Sequence, residues 1–390
     1  MAYYRIPSLP ATHIGWSAVQ KLAEELKGFG AGAILIIADP VLVSLNLVKP
    51  ITNILEDHNY KYSIYSDIIP EPTIEVGQAI VDFVRKQDFS TIIGFGGGSA
   101  LDMAKLAAVL KDNPGDVREY LNLTGNKNII KKGIPKILIP TTSGTGTEVT
   151  NISVLALEKT KDVVVHDYLI ADTAIVDPAF TVTVPPKVTA ATGADALTHA
   201  IEAFISVNAN PYSDGLALQA IRLIGASLRD AVFNGTNQDA RTKMAYGSYL
   251  AGLAFFNAGV GAIHALAYPL GGQFHLAHGE SNAVLIPYVM NYIKDSCSAK
   301  MIQIANALEN GAGSGKADSC VEILAKLVND IGIPKTLEDF NIPQSALSAL
   351  VEDGVMQKRL LARCPMDLKR EDIYKIYKSA FTGILTGPKN

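Results

Sequence analysis

The pattern of apolar residues changes near Pro185 and Pro186, and this change constrains the fold more than any other feature of the chain. Before it, short runs rich in β-branched residues alternate with stretches whose apolar residues recur every three or four positions. After it, strand-like runs nearly vanish and long helical patterns follow. Alternating strands and helices are typical of βαβ units and a mainly parallel sheet. We therefore predict an α/β domain over residues 1–185 and an all-α domain over residues 186–390.

The predicted elements follow from these periodicities. The strands expected in the first domain are Ala33–Asp39, Tyr62–Tyr65, Thr91–Phe95, Lys136–Pro140 and Thr173–Asp177. Its helices are expected at Ala18–Leu26, Ile74–Arg85 and Ser99–Leu110. In the second domain we expect helices at Leu216–Phe233, Lys243–Leu253 and Ala317–Asn329, among others.

The composition restricts the class of protein. Hydrophobic residues make up 48% of the chain and charged residues 18%, which excludes intrinsic disorder and predicts a large buried core. The net charge is -4 and no basic block occurs, so a nucleic-acid partner is not expected. Three unpatterned cysteines favour a reducing compartment. Because no signal peptide begins at Met1 and no apolar run approaches the ~20 residues of a membrane span, we expect a soluble, cytoplasmic protein.

A glycine-rich segment, Gly94–Ser99, lies between a predicted strand and a predicted helix. Glycines there would let backbone N–H groups approach a pyrophosphate at the start of the helix, where the helix dipole favours negative charge. The spacing differs from that of the Rossmann fingerprint, and a tight turn before a helix that Ser99 and Asp102 cap explains the same residues. Phosphate binding is the reading we favour.

Two further polar sites follow predicted strands of the first domain. Asp39 closes one strand, where a carboxylate can accept from a ribose 2′-OH and would repel a 2′-phosphate, so NAD is favoured over NADP. A simple turn at Asp39–Pro40 is the alternative. The Ser/Thr/Gly-rich loop Thr141–Glu148 follows another strand, where open α/β sheets bind ligands, although a solvated loop would have a similar composition.

Four of the seven histidines lie near one acidic residue in apolar, helical parts of the second domain. Asp195 and His199 are four residues apart, which places them on the same face of a helix. The other histidines of this group are His264, His275 and His278. Each histidine alone is more often a hydrogen-bonded core residue than a ligand, but burying so many ionisable groups is costly without compensation. Imidazoles together with a carboxylate suit Fe2+ or Zn2+. Open coordination positions on such an ion would let a substrate oxygen bind.

Taken together, these motifs resemble those of the iron-containing, or group III, alcohol dehydrogenases, in order and approximate spacing across nearly the whole chain. The matching segments are Gly96-Gly97-Gly98-Ser99 with Asp102, the loop Thr141–Glu148, Gly193–Glu202, and His264–Gly271 followed by His278-Gly279. The resemblance implies an NAD-linked alcohol dehydrogenase or aldehyde reductase acting on a short-chain alcohol, a diol or a hydroxy acid. It also implies a homodimer or a higher homo-oligomer.

The resemblance further implies which residues bind metal and cofactor. The metal ligands would be Asp195, His199, His264 and His278. NAD would contact Asp39, Gly96, Gly97, Gly98, Ser99, Asp102, Thr141, Thr142, Thr145, Thr147 and Lys161. The chain departs from many members at Tyr268, where they carry a histidine regarded as a proton relay or substrate contact. Tyr268 or His275 could take that catalytic role, with simple packing as the alternative.

Other functions share this kind of sequence. A lyase similar to 3-dehydroquinate synthase would use the same fold, NAD and a metal, but it usually surrounds a phosphorylated substrate with more basic residues. A metal-independent enzyme similar to maleylacetate reductases would not need the complete ligand set. A non-catalytic nucleotide-binding module is the third alternative. Alcohol oxidation, in which a cation polarises the substrate oxygen and hydride passes to NAD, is the reaction we predict.

Overall fold

The computed structural model of the chain describes residues 3–158, 160–309 and 315–388. Met1 and Ala2, the first residues of the segment considered for a signal peptide, lie outside the described residues. The chain forms two compact units, and the main boundary falls between Thr183 and Val184. We refer to them as the N-terminal unit and the helical unit.

The boundary has two exceptions in the first part of the chain. The N-terminal unit comprises Pro7–Thr142 and Gly146–Thr183. The short segment Ser143–Thr145 groups with the helical unit, as do the described residues up to Ile6. The loop Thr141–Glu148 therefore contributes residues to both units.

The N-terminal unit is built around a parallel sheet. The strands among the described residues are β1 (Ala11–Ile14), β2 (Ala33–Ala38), β3 (Tyr62–Tyr65), β4 (Phe89–Gly96), β5 (Lys136–Pro140), β6 (Ile152–Ala156), β7 (Lys161–Val165) and β8 (Thr173–Val176). Six of them form one sheet in the order β1-β8-β5-β4-β2-β3, in which every neighbouring pair is parallel. Strands β6 and β7 form a separate antiparallel pair. The predicted α/β fold of this half is confirmed.

Apolar side chains cover both faces of this sheet. Along β2, Leu35 and Ile37 belong to one apolar cluster, together with the helices that follow β3 and β4. Ile34 and Ile36, which alternate with them, belong to a second cluster with the helices that precede β2 and β3. Strands buried on both faces have continuous rather than alternating apolar sequences, and this explains why β2 and β4 were recognisable from the sequence.

The strands that the sequence analysis did not identify are β1, β6 and β7. β1 is a four-residue strand at the edge of the sheet, and all its residues are half-buried. β6 and β7 pair only with each other among the named strands. Short strands outside a doubly covered sheet lack the long apolar run that marks the central strands, so their periodicity is too weak to predict them.

The helices of the N-terminal unit are α1 (Leu22–Leu26), α2 (Pro40–Ser44), α3 (Lys49–Asp57), α4 (Ile74–Arg85) and α5 (Gly98–Leu110). Helix α4 has the predicted bounds, and the Thr73 side chain caps it by accepting from the Val76 N–H. The predicted helix Ala18–Leu26 is instead a 3-10 turn, Ala18–Lys21, continued by α1.

The helical unit contains the remaining helices of the described residues. They are α6 (Pro186–Ile205), α7 (Pro211–Phe233), α8 (Gln238–Ala258), α9 (Ala262–Phe274), α10 (His278–Ile293), α11 (Ser298–Leu308), α12 (Ala317–Asp330), α13 (Leu347–Val355), α14 (Lys358–Leu361) and α15 (Arg370–Thr382). Pro186 is the first residue of α6, a position where proline is favoured because its missing N–H would have no helical partner. The predicted all-α second half is confirmed.

A helix that spans a membrane must be both long and apolar. No single helix in the described ranges is both long and apolar enough to cross a bilayer. The consecutive helices α8 and α9 meet the criteria only as a pair, and they are bent by 105° at their junction.

Candidate functional site

Three histidine side chains of the helical unit converge on one carboxylate oxygen. Oδ1 of Asp195 lies 3.9 Å from Nε2 of His199, one turn later in α6. The same oxygen lies 3.6 Å from Nε2 of His264, in the first turn of α9, and 3.6 Å from Nε2 of His278, the first residue of α10. Asp195, His199 and His264 are buried, and each offers one ligand atom within 4.8 Å of the others. Three helices thus bring a carboxylate and three imidazoles to one place.

The spacing of these atoms fits a shared cation better than direct hydrogen bonds. Separations of 3.6 to 3.9 Å between the Asp195 oxygen and the imidazole nitrogens exceed normal hydrogen-bond lengths. Two ligands that each lie about 2.1 Å from one tetrahedral ion are about 3.4 Å apart. The donor set, nitrogen and carboxylate oxygen, suits Fe2+ or Zn2+.

The ionisable side chains of the cluster shift one another's pKa values. Burial alone would raise the pKa of Asp195, but the neighbouring His199, His278 and His264 hold it well below its usual range. Burial also favours neutral His264, yet the neighbouring carboxylates of Asp195 and Glu202 raise the pKa of this imidazole to about 9. Burial lowers the pKa of His199 to about 4, although Asp195 opposes the shift. A neutral His199 and an ionised Asp195 are the forms that bind a cation.

The histidine rings pack in a stack. The ring of His199 lies between Phe255, with centroids 4.4 Å apart, and His264, with centroids 4.7 Å apart. Both contacts are stacked, with interplanar angles of 19° and 24°. These two stacking contacts restrict rotation of the His199 ring.

Two residues that the sequence analysis did not single out contact the four-residue cluster. Oε2 of Glu202 lies 2.6 Å from Nδ1 of His264. The Asn282 side chain donates to Oδ1 of Asp195 at 2.7 Å, and its Oδ1 makes no hydrogen bond among the described residues. Helical spacing could have indicated both residues, because Glu202 follows His199 by three positions and Asn282 follows His278 by four.

Tyr268 and His275, the two residues considered for a proton relay, have different surroundings. The ring of Tyr268 lies 6.0 Å from that of His278, and the side chain packs in a small apolar cluster with Phe255 and Leu361. Burial raises the pKa of Tyr268, so its hydroxyl stays protonated at neutral pH. His275 is exposed at the end of α9 and has a positive φ of 53°. Of the two, Tyr268 is therefore the one beside the ligand cluster.

Several residues predicted to bind the cofactor lie at the carboxyl edge of the parallel sheet. Asp39 follows β2, Gly96 ends β4, and Thr141 follows β5. The Asp39 N–H donates to the carbonyl of Phe95, and Thr141 N–H donates to that of Gly96. These bonds hold the three strand ends together. This edge is where ligands bind in open α/β sheets.

Gly96 must be glycine for steric reasons. Its φ is 154°, and a Cβ there would lie 2.8 Å from Cβ of Ala100 and 3.4 Å from Cβ of Asp39. The backbone therefore passes closely between the end of β2 and the start of α5. The following residues, Gly97 and Gly98, begin α5 without a side-chain cap. The N–H groups of the first turn of α5 are thus left available for an anion.

Asp102 and Thr147, also predicted to bind the cofactor, are engaged inside the N-terminal unit. Thr147 Oγ1 donates to Oδ1 of Asp102 at 2.5 Å, and Val154 N–H donates to Oδ2 of Asp102 at 2.9 Å. The fully buried Lys105 forms an ion pair with Asp102 at 2.9 Å and also donates to Thr147 Oγ1 and to the carbonyl of Ile152. This buried network fixes the loop after β5 to helix α5.

The remaining predicted cofactor residues are placed by other contacts. Ser99 Oγ accepts from the backbone N–H of Glu71, and the Glu71 carboxylate forms an ion pair with Lys161 at 2.7 Å. Oγ1 of Thr142 would lie 3.7 Å from a Cβ at Gly97. Thr145 belongs to the short segment of the loop that groups with the helical unit.

Comparison with known proteins identifies the family. The sequence profile described as iron-containing alcohol dehydrogenase matches residues 10–178, and that of the C-terminal part of the Fe-containing alcohol dehydrogenase family matches residues 189–381. The chain belongs to this family. It is therefore an oxidoreductase that acts on CH–OH groups, as the resemblance implied.

Individual relatives are similar to the chain over nearly its whole length. The chain is 59% identical to long-chain-alcohol dehydrogenase 1 of Geobacillus thermodenitrificans, covering 100% of this chain and 99% of the relative. A solved structure of 1,3-propanediol oxidoreductase has a TM-score of 0.92 at 31% identity and covers 97% of this chain and 100% of its own. Sulfoacetaldehyde reductase from Bifidobacterium kashiwanohense, solved in complex with NAD+, has a TM-score of 0.89 at 27% identity, with 97% and 99% covered. None of these relatives is a lyase.

Proposed function

We propose that the chain interconverts alcohols and aldehydes with NAD(H), using a divalent cation held by Asp195, His199, His264 and His278. The observation that carries the proposal is the convergence of three imidazole nitrogens within 3.6 to 3.9 Å of one Asp195 oxygen. Iron is the cation that the family's description favours, and the same donors also suit zinc.

We assign the NAD site to the carboxyl edge of the parallel sheet. Gly96, Gly97, Gly98 and Ser99 would face the pyrophosphate, because the first turn of α5 presents free N–H groups there. Asp39 would bind the adenosine ribose, and Thr141 and Thr142 the neighbouring part of the cofactor. Asp102, Thr145, Thr147 and Lys161 complete the proposed set. The complex of the sulfoacetaldehyde reductase with NAD+ supports this choice of cofactor.

The chain's own residues orient the reactants in this proposal. When bound, the cation polarises the alcohol or carbonyl oxygen, and the nicotinamide carries the hydride. Asp195 supplies the negative charge that retains the cation, while the imidazoles of His199, His264 and His278 supply lone pairs. Tyr268, whose hydroxyl stays protonated at neutral pH, is the residue we assign beside the reacting oxygen as a hydrogen-bond donor.

We propose that the substrates are a small group of alcohols. The apolar side chains of Phe255 and Tyr268 near the cluster suit a short-chain alcohol, a diol or a hydroxy acid with a hydrocarbon segment. The name of the relative from Geobacillus adds longer alkyl alcohols to this range. We also propose that the protein is cytoplasmic and that it forms a homodimer or a higher homo-oligomer, of which the family resemblance implied only the oligomeric state.

Metal removal tests the proposal. Protein stripped with a chelator should lose alcohol-dependent NADH formation, and added Fe2+ or Zn2+ should restore it. His264→Ala should stay inactive under both conditions, whereas His58→Ala, which changes an exposed histidine of the N-terminal unit, should respond like the wild type. Full activity in verified metal-free protein would refute the metal-dependent mechanism and favour the maleylacetate-reductase-like alternative.

A further inference from the structure

A buried carboxylate stands behind one of the proposed metal ligands. Glu202 lies near the end of α6 and is 2% exposed. Its Oε1 accepts from the backbone N–H of Ile263 at 2.6 Å, and its Oε2 lies 2.6 Å from Nδ1 of His264. Oε2 also accepts from the backbone N–H of His264 at 3.4 Å. One carboxylate therefore contacts both the start of α9 and the ring that α9 carries.

The start of α9 has no capping side chain of its own. Its N-cap residue is Gly261, which has no side chain to accept hydrogen bonds from the first-turn N–H groups. A Cβ at Gly261 would lie 3.4 Å from Oε1 of Glu202, so the carboxylate approaches the backbone closely there. A negative charge is favourable at this end of a helix, because the N–H dipoles point toward it. This arrangement fixes the position of Glu202 independently of the imidazole.

The contact with Nδ1 determines how the His264 ring can bind a cation. The contact requires a proton on Nδ1, because a carboxylate only accepts. With the proton on Nδ1, the neutral ring has its lone pair on Nε2, the atom that faces Asp195 Oδ1 at 3.6 Å. A carboxylate behind a ligand histidine also makes the coordinating nitrogen a stronger donor.

We propose that Glu202 is a positioning residue that fixes the metal-binding tautomer and the ring orientation of His264. The inference rests on the proposed function, since it concerns the cation assigned to this cluster. The competing explanation is that Glu202 only caps α9. Under that explanation, its replacement would lower the stability of the fold but leave the affinity for metal unchanged.

The test uses Glu202→Gln, which keeps the size of the side chain but replaces one oxygen with an NH2 group. If the amide oxygen remains at Ile263, the NH2 group faces Nδ1 and moves the ring proton to Nε2, where it competes with the metal. If the amide is reversed, the NH2 group faces the N–H of Ile263, and two donors oppose each other. We expect the dissociation constant for Zn2+, measured against a competing chelator above pH 9, where protonation of the ring does not compete with the metal, to rise about 10- to 100-fold.

Tyr377→Phe is the matched control. Tyr377 is fully buried and donates from its hydroxyl to the carbonyl of Leu266, in the same helix α9. The variant loses a buried hydrogen bond to α9 that does not involve the His264 ring. The dissociation constant of Tyr377→Phe for Zn2+ should therefore match that of the wild type. Glu202→Asp keeps a carboxylate, so its dissociation constant for Zn2+ should fall between those of the wild type and Glu202→Gln.

A second measurement uses only the wild-type protein, so it does not depend on the folding of a variant. In zinc-loaded wild-type protein labelled with 15N at histidine, Nδ1 of His264 should carry a proton and Nε2 should show the shift of a metal-bound nitrogen. Coordination through Nδ1, or equal zinc affinities for the wild type and Glu202→Gln, would overturn the inference alone. Failure of the wild type to bind zinc at this cluster would overturn the proposed function and the inference together.

Discussion

Asn282 donates a hydrogen bond from its side-chain nitrogen to Oδ1 of Asp195, at 2.7 Å. The same nitrogen lies 3.2 Å from Nε2 of His264 and 3.3 Å from Nε2 of His278. Asn282 thus contacts three of the four proposed ligands and holds the carboxylate in place. We expect Asn282→Ala to weaken metal binding about tenfold, measured as the metal content retained after dialysis against a weak chelator.

Asn291→Ala provides the comparison for that variant. Asn291 lies in the same helix, α10, is buried, and donates to the carbonyl of Thr386 away from the cluster. Its replacement should lower stability and leave the metal content unchanged. Equal metal retention by both variants would show that Asn282 has no part in binding the cation.

Asp39 should determine the choice between NAD and NADP. It also caps α2, since its Oδ1 accepts from the Val41 N–H at 2.8 Å, so replacement by alanine would disturb the fold as well. Asp39→Asn keeps the cap, because asparagine is an equally good N-cap residue. We expect kcat/KM for NAD to fall and that for NADP to rise, because the charge that repels a 2′-phosphate is removed. A wild-type preference for NADP would contradict the assignment of Asp39.

Lys105 should be essential to the stability of the N-terminal unit. Its ammonium is fully buried against Asp102, and Lys105→Met leaves that carboxylate without its cation. Removing one partner of a buried ion pair typically costs about 3–5 kcal/mol. The single tryptophan, Trp16, belongs to this unit, so its fluorescence in a urea titration reports the unfolding of the unit.

An exposed ion pair of the same unit supplies the control for Lys105. Lys127 pairs with Glu119 at 2.8 Å, and both side chains remain about a third or more exposed. Lys127→Met should lower the free energy of unfolding far less than Lys105→Met, because water screens such pairs. Similar losses for the two variants would indicate that Lys105 is not a central member of the buried network.

Metal binding should strengthen as the pH rises from 7 to 9. The pKa of His264 is raised to about 9, so at neutral pH the metal-free protein carries a proton that the cation must displace. His199, with a pKa lowered to about 4, is already neutral and adds no dependence in this range. We expect an affinity increase of about tenfold per pH unit, levelling off above pH 9. Calorimetry in buffers of different ionisation enthalpy should count one proton released at pH 7, and an affinity independent of pH would contradict the assignment.

The sequence was sufficient for elements that carry a strong local pattern. Helix α4 has the predicted bounds because a capping threonine precedes a regular apolar period. The central strands were recognisable because both faces of the sheet are covered, which requires uninterrupted apolar residues. Edge strand β1 and the pair β6–β7 were not predicted, since short segments give too little periodicity.

For the candidate site, the sequence identified the kinds of residue but not their mutual contacts. Asp195 and His199 are four residues apart, so helical spacing alone predicts that they share one face. The packing of α6, α9 and α10 brings His264 and His278 to the same oxygen, and this is a contact between residues far apart in the chain. Helical spacing places Glu202 near His199 and Asn282 near His278, but which atoms the two residues contact depends on such packing.

The sequence by itself determined the two-part architecture and the chemical types of the ligands, because periodicity and residue identity are local properties. Only the tertiary structure decided which donors share a common point and which polar groups stand behind them. The physical reason is that a cation site depends on distances of a few ångströms between side chains from separate helices. Those distances are set by how the apolar faces of the helices pack, not by the order of residues along any one of them.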